Sequence, residues 1–201
     1  MTRYYFMIRF LPKEANFSLL CGRCISVMHG YVSKHDLQGL GVSFPAWTNS
    51  SIGHVIAFVH SDISILDKLK QQAYFQEMQE YGVFEISNVQ VVPADCPEVR
   101  FRRNQTISKM FVGGIRRKLK RAEKRATARG EVFEPPHTMQ LREFESFHAV
   151  TIASRSSGQD FCLNIQKDSV SKPCESHFNS YGLATNQQMN GSVPDFSGYL
   201  R

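Results

Sequence analysis

No stretch of this chain approaches the roughly 18 uninterrupted apolar residues that a membrane-spanning helix needs, and none of the usual flanks of such a helix is present. A secretory leader is missing too. The opening MTRYYFMIRFLPKEANF carries one short apolar run, broken by Arg9 and then by Pro12 and Lys13. Both absences predict a soluble, cytoplasmic protein. Cysteine is sparse and unevenly spaced, at positions 21, 24, 96, 162 and 174, which argues against a disulfide framework. Cys21 and Cys24 form a C-x-x-C, yet no second ligand pair follows at zinc-site spacing. Both fall inside an apolar helical pattern, where free cysteine usually serves as a small core residue. No metal and no cofactor are expected, and no internal repeat is visible.

The scarcity that matters most is of acid. Between Arg100 and Arg129, Glu123 is the single acidic residue against 12 Lys and Arg, a local balance of +11 that leaves −5 for the other 171 residues. Half of the chain's 24 cations therefore lie in 30 positions, the footprint of a polyanion site.

With 201 residues at 42% apolar composition, the chain can bury a substantial core in one large or two smaller domains. Strand and helix signals alternate through the first half. Tyr4 to Leu11 reads as a strand closed by Pro12, and a helix follows from Asn16, with Leu19, Leu20, Cys24, Val27, Met28 and Tyr31 at helical spacing, ending near Gly30. Leu40 to Phe44 and Val55 to Val59 read as short strands. Asp62 is placed to cap a second helix running through Leu69 toward Met78, and Phe84 to Val92 supplies a fourth strand. This βαββαβ order is the signature of a ferredoxin-like domain. Two prolines, Pro93 and Pro97, frame the best linker, so residues 1–94 and 95–201 are expected as separate domains. The fold class is thus α+β, with a ferredoxin-like N-terminal domain and a smaller C-terminal domain made of an arginine-rich helix and short strands.

That helix is expected from about residue 108 to 129, with Gly130 as its stop and Pro135-Pro136 opening a loop. At 100° per residue Arg116, Arg117, Lys118, Lys120, Arg121, Lys124, Arg125 and Arg129 spread over roughly 220° of its circumference. Phe111, Val112, Ile115, Leu119, Ala122 and Ala126 fill most of the remainder. Like charges on one face repel, and no acids at i+4 relieve them. A membrane surface fits poorly because the apolar arc is small and alanine-rich. Nucleic acid remains, although charge alone does not separate DNA from RNA. Just upstream, Arg103 and Gln105 alternate on an extended segment, where Arg can bridge guanine and Gln can bridge adenine.

For chemistry the candidate is His29, expected at the C-terminal end of the first helix. A lone histidine there is often a cap or a surface group. Its company raises it: the hydroxyl-rich turn Ser154-Arg155-Ser156-Ser157-Gly158-Gln159 and the phenol of Ser180-Tyr181-Gly182-Leu183. An imidazole with such donors is enough to cut RNA, because the substrate brings its own nucleophile, the 2′-OH.

In order along the chain, His29-Gly30, Gly41-Val42-Ser43-Phe44-Pro45, Arg103-x-Gln105, the arginine-rich helix, Ser154-x-Ser156-x-Gly158-Gln159-x-Phe161 and Ser180-Tyr181-Gly182-Leu183 resemble the CRISPR repeat-processing endoribonucleases of type I-F systems, in particular their transposon-associated branch. The resemblance implies a metal-independent endoribonuclease whose arginine-rich helix docks in the major groove of a repeat-RNA hairpin. It implies cutting at the 3′ base of the stem, a 2′,3′-cyclic phosphate, and retention of the mature crRNA within a Cascade-type antiviral complex. By carry-over His29 acts on the 2′-OH or on the leaving 5′-oxygen, Ser154 holds the reacting ribose, and Ser156 and Tyr181 orient the site. Phe161 stacks on the terminal base pair and Arg103 and Gln105 read the lowest stem pairs, while Arg116, Arg117, Lys120, Arg121, Lys124 and Arg125 grip phosphates. Implied partners are the repeat hairpin, the other Cascade subunits and, for that branch, a transposition adaptor protein, with no membrane. The alternative is a non-catalytic subunit that caps the crRNA hairpin of an RNA-guided DNA-targeting complex.

Overall fold

The computed structural model describes residues 2–110, 112–132, 146–153, 160–175 and 177–200, with backbone alone for 108–110, 112–115 and 118. Two antiparallel sheets organise it. In the first, β1 (Tyr4–Phe10) lies centrally between β3 (Val55–His60) and β4 (Phe84–Ile86), and β2 (Gly41–Ser43) pairs with β3, giving the order β2-β3-β1-β4 of a ferredoxin-like sheet. The expected fourth strand is divided. Residues 84–86 and β5 (Gln90–Val91) pair separately with the two ends of β1, and Ser87 between them turns its hydroxyl to accept from the Met7 N–H at 2.9 Å.

The first helix, α1 (Phe17–His35), is capped by Asn16, whose side chain accepts from the Leu19 N–H at 3.0 Å. It does not end near Gly30 as the glycine suggested. An interior glycine costs about 1 kcal/mol relative to alanine, whereas burying Tyr31 and Val32 on the continuing core face returns about 1.5–3 kcal/mol for a side chain such as valine. The helix therefore runs on to Asp36, which closes it in the left-handed conformation at φ 49°. The second helix is likewise not one piece. Leu66 and Leu69 of α2 (Ile63–Lys70) and Phe75 of α3 (Ala73–Glu80) are all buried, but in an unbroken helix Phe75 would point roughly 180° away from Leu66. The break at Gln71-Gln72 restores its inward direction.

The second sheet has the order β7-β8-β6-β9, from β6 (Glu98–Arg103), β7 (Phe147–Ala153), β8 (Asp160–Val170) and β9 (Val193–Pro194). Asn104 ends β6 and starts the next helix at once. Its side chain accepts from the Thr106 N–H at 3.0 Å and donates to Gln166 at 2.8 Å. Consequently α4 (Gln105–Met110) begins earlier than the expected helix start near 108, and α5 (Val112–Arg129) follows as a second piece, ended by Gly130 at φ 73°. Gln105 thus stands in the first turn of α4 and not on an extended segment beside Arg103. No helix among the described residues is long and apolar enough to cross a membrane.

One continuous cluster of buried side chains reaches from Phe6, Ile8 and Phe58 of the first sheet, through Ile25 and Met28 of α1, to Val150, Ile152, Leu163 and Ile165 of the second. Phe44 and Phe101 join the halves edge to face at 4.9 Å. Helix α1 reaches β7 closely enough that a Cβ on Gly22 would lie 2.1 Å from the Thr151 carbonyl oxygen. Helix propensity favours Gly22→Ala by about 1 kcal/mol, but backbone on backbone leaves no soft neighbour to yield. A net loss of about 1–3 kcal/mol is expected in denaturant unfolding; unchanged or raised stability would show that α1 is free to retreat from β7.

Candidate functional site

Four half-buried side chains meet where α1 passes the open end of the second sheet: His29 from α1, Arg103 from the end of β6, Phe161 from β8 and Tyr181 from the turn at 179–183. The ring of Tyr181 stacks on the imidazole with centroids 4.3 Å apart and planes 20° from parallel. Phe161 meets Tyr181 edge to face at 5.9 Å. The Arg103 guanidinium lies over both, 5.5 Å from the Tyr181 ring centre and 5.8 Å from that of Phe161, within cation–π range.

His29 is oriented by a single bond, from Nδ1 to the Ser180 carbonyl at 3.1 Å. A carbonyl only accepts, so Nδ1 carries a proton, and in the neutral ring Nε2 keeps its lone pair. His60 and His148 are held differently. On His60, Nε2 donates to the Gln38 carbonyl at 2.9 Å and Nδ1 accepts from the Asp62 N–H at 2.8 Å, so both nitrogens are engaged. On His148, Nε2 bonds the Thr48 carbonyl at 2.8 Å against the edge of Trp47. Because α1 continues to His35, His29 sits in the helix body and not in its last turn.

The turn that holds Tyr181 and Ser180 is itself fixed. Asn179 Oδ1 accepts from the Tyr181 N–H at 2.8 Å and the Leu183 N–H at 3.3 Å. Gly182 adopts φ 71°, where a Cβ would meet Val42 Cγ2 at 2.5 Å, and its carbonyl accepts from the Val42 N–H at 2.9 Å. On its far side the Ala184 carbonyl accepts from the Arg103 N–H at 2.8 Å, which ties this turn to the residue whose guanidinium covers Tyr181. Asn179 and the Ser180 carbonyl were missed in the sequence. The Asn-Ser-Tyr-Gly run is a readable Asx-turn signal, but nothing in it says which carbonyl will meet a histidine 151 residues away.

Arg116, Arg117, Lys120, Arg121, Lys124, Arg125 and Arg129 of α5 are exposed while Ala126 is buried, as the two-arc pattern predicts. Arg129 pairs with Glu131 at 2.8 Å, and Arg125 donates to the Arg121 carbonyl at 3.2 Å. The side chain of Lys118 lies outside the described residues, as do Ser154, Ser156, the rest of their turn and Pro135-Pro136. Cys21 and Cys24 are fully buried in α1 and desolvation pushes both thiols up, away from the thiolate that redox or metal chemistry uses.

A family model described as CRISPR-associated protein (Cas_Csy4) matches residues 5–196. No curated protein matches the chain. The matched span takes in the imidazole, the aromatic pair and the cationic helix within one alignment, and the chain accordingly belongs to the CRISPR-associated Cas_Csy4 family, the repeat-processing endoribonucleases of type I-F systems.

Proposed function

We propose that this protein grips the stem of a CRISPR repeat hairpin along α5 and cuts the precursor RNA at the 3′ base of the stem by attack of the 2′-OH on the adjacent phosphate. The observation that carries this reading is the His29 geometry: Nδ1 held by the Ser180 carbonyl, the ring face covered by Tyr181, and Nε2 without a partner among the described residues. Such an imidazole accepts the 2′-OH proton at Nε2 as the oxygen attacks phosphorus. The P–O5′ bond breaks, the 5′-oxygen takes a proton from solvent as it leaves, and a 2′,3′-cyclic phosphate remains on the product. Of the two roles open to His29, the fixed Nδ1–H favours the base. The nucleophile belongs to the substrate, so the step needs no metal-bound water.

Phe161 is assigned the terminal base pair of the stem, a stacking contact worth about 1–3 kcal/mol. Arg103, spread over the two rings, is assigned a guanine in the lowest pairs, and Gln105, in the first turn of α4, is assigned an adenine there. Ser154 is assigned the reacting ribose and Ser156 the orientation of the site. Their support is the register: Ala153 pairs with Asp160, so the β7–β8 connection emerges next to Phe161. Retention of the product within a Cascade-type complex, and contact with a transposition adaptor, extend the reading to the assembly.

In single-turnover assays on a repeat hairpin, His29→Ala is expected to slow cleavage about 10²- to 10⁴-fold while leaving hairpin binding in place, and EDTA is expected to change nothing. Cutting that survives the substitution, or that stops with the chelator, contradicts the mechanism. Absence of cutting at any enzyme excess would assign the protein to capping alone.

The helix gives a separate expectation. Each phosphate neutralised contributes about −0.7 to −0.9 to the slope of log affinity against log salt, so Arg121→Ala should make that slope shallower by about one. An unchanged slope would remove Arg121 from the interface.

A further inference from the structure

Beyond His29, the face of α1 continues at Val32 and Asp36, and there it borders a cavity of about 360 Å³ closed on the other side by Leu40, Phe178, Ser180 and Met189. We infer that this cavity is the subsite for the first nucleobase on the 3′ side of the scissile phosphate, and that Asp36 reads the amino edge of that base. The inference rests on the cleavage reading above and names a part of the substrate which that reading leaves unassigned.

Position carries the first step. Residues 29, 32 and 36 lie at i, i+3 and i+7 on one helix face, so the cavity opens about one turn, or about 5.4 Å, past the imidazole. Ser180 belongs to both places, since its carbonyl holds His29 while the residue lines the cavity. The stem-facing groups lie in the other direction. Phe161 pairs with Ile152 of β7, and β7 meets α1 at Gly22, toward the helix N-terminus. A strand leaving the foot of the stem passes the imidazole and next meets this cavity. In a cut at the 3′ base, that strand is the leaving fragment.

Size and lining carry the second step. The volume is near the lower end of small-molecule sites, about 300–1,000 Å³, which suits one base and part of its ribose. Val32, Leu40 and Phe178 are buried and present apolar walls, and Met189 is 39% exposed at the mouth. These walls accept a base face, and the polar lining of Ser33, Gln38 and Asn179 beside them, with Asn179 Nδ2 unpartnered among the described residues, offers hydrogen bonds to its edge.

Asp36 carries the third. It is the one non-glycine among the described residues with positive φ, and it places a carboxylate at the C-terminal end of a helix, where the macrodipole disfavours negative charge. No ion pair of Asp36 is present among the described residues. Asparagine would close the helix equally well without the charge, so the cap does not account for an acid here. A carboxylate repels the RNA backbone and accepts from base amino groups, and a single strand offers its Watson–Crick edge for this. Guanine fits best, presenting N1–H and the N2 amine as two parallel donors to the two carboxylate oxygens.

The test is single-turnover cleavage of repeat hairpins that differ only at the nucleotide following the cut: guanosine, uridine or an abasic residue. For the wild type, the abasic substrate should lose about 5- to 100-fold in cleavage efficiency relative to guanosine, and uridine should fall between them. Asp36→Asn, which keeps the left-handed cap, should bring guanosine and uridine to within about twofold of each other, and its loss on guanosine should not add to the loss caused by uridine. Equal cutting of all three substrates by the wild type, or an unaltered guanosine preference in Asp36→Asn, overturns the subsite and leaves the cleavage reading standing. Hairpins left whole with every flank contradict the cleavage reading and the subsite with it.

Discussion

The bond from His29 to the Ser180 carbonyl is the point at which the whole architecture bears on chemistry. The two residues belong to elements with no local connection: a helix packed on the first sheet, and a turn tied to strand β6 of the second. For them to meet, α1 must lie against β7 as tightly as Gly22 permits, and the 179–183 turn must be clasped between Val42 and Arg103. The phenol of Tyr181 then covers the imidazole face, leaving Nε2 without a partner among the described residues. Small shifts at any of these supports would move an imidazole that has one hydrogen bond to guide it.

The second constraint is electrostatic and points outward. Arg129 pairs with Glu131, but no acid stands at i+4 to any cation of α5, so like charge is concentrated along the helix. A polyanion would complete it. Phosphate contacts fix orientation and register but carry no sequence information; in the proposed complex, reading would fall to Arg103, Phe161 and Gln105 and to the pocket past the imidazole. Grip, spread along a rod, would thus be separate from discrimination, gathered at one end of it.

Much of this was legible in the sequence where the signal was local. The apolar runs of Tyr4–Phe10 and Val55–His60, the cap at Asp62 and the uneven charge of 100–129 each report directly on an element, and the strand order of a βαββαβ unit follows from them. What failed was a matter of competing local and tertiary terms. Gly30 reads as a stop, but the burial of Tyr31 and Val32 outweighs it; Gln71 and Gln72 carry no breaker residue, yet the phase of Phe75 demands a break. Asn104 hides a helix start inside what looks like a strand, which moved Gln105 from one element to the next. For the site, residue types were readable and partnerships were not: His29 and Tyr181 stood out, whereas Asn179, the Ser180 carbonyl and Asp36 acquire meaning only through contacts with distant parts of the chain.

The state of one ring nitrogen decides the central claim. Nitrogen-15 NMR of His29 in the complex with an uncleavable, 2′-deoxy repeat hairpin reports which nitrogen carries the proton, with Ser180 unaltered as its acceptor. A neutral ring protonated at Nδ1, with Nε2 bare, is the expected result; a neutral ring protonated at Nε2 would contradict the orientation on which the proposed base catalysis depends.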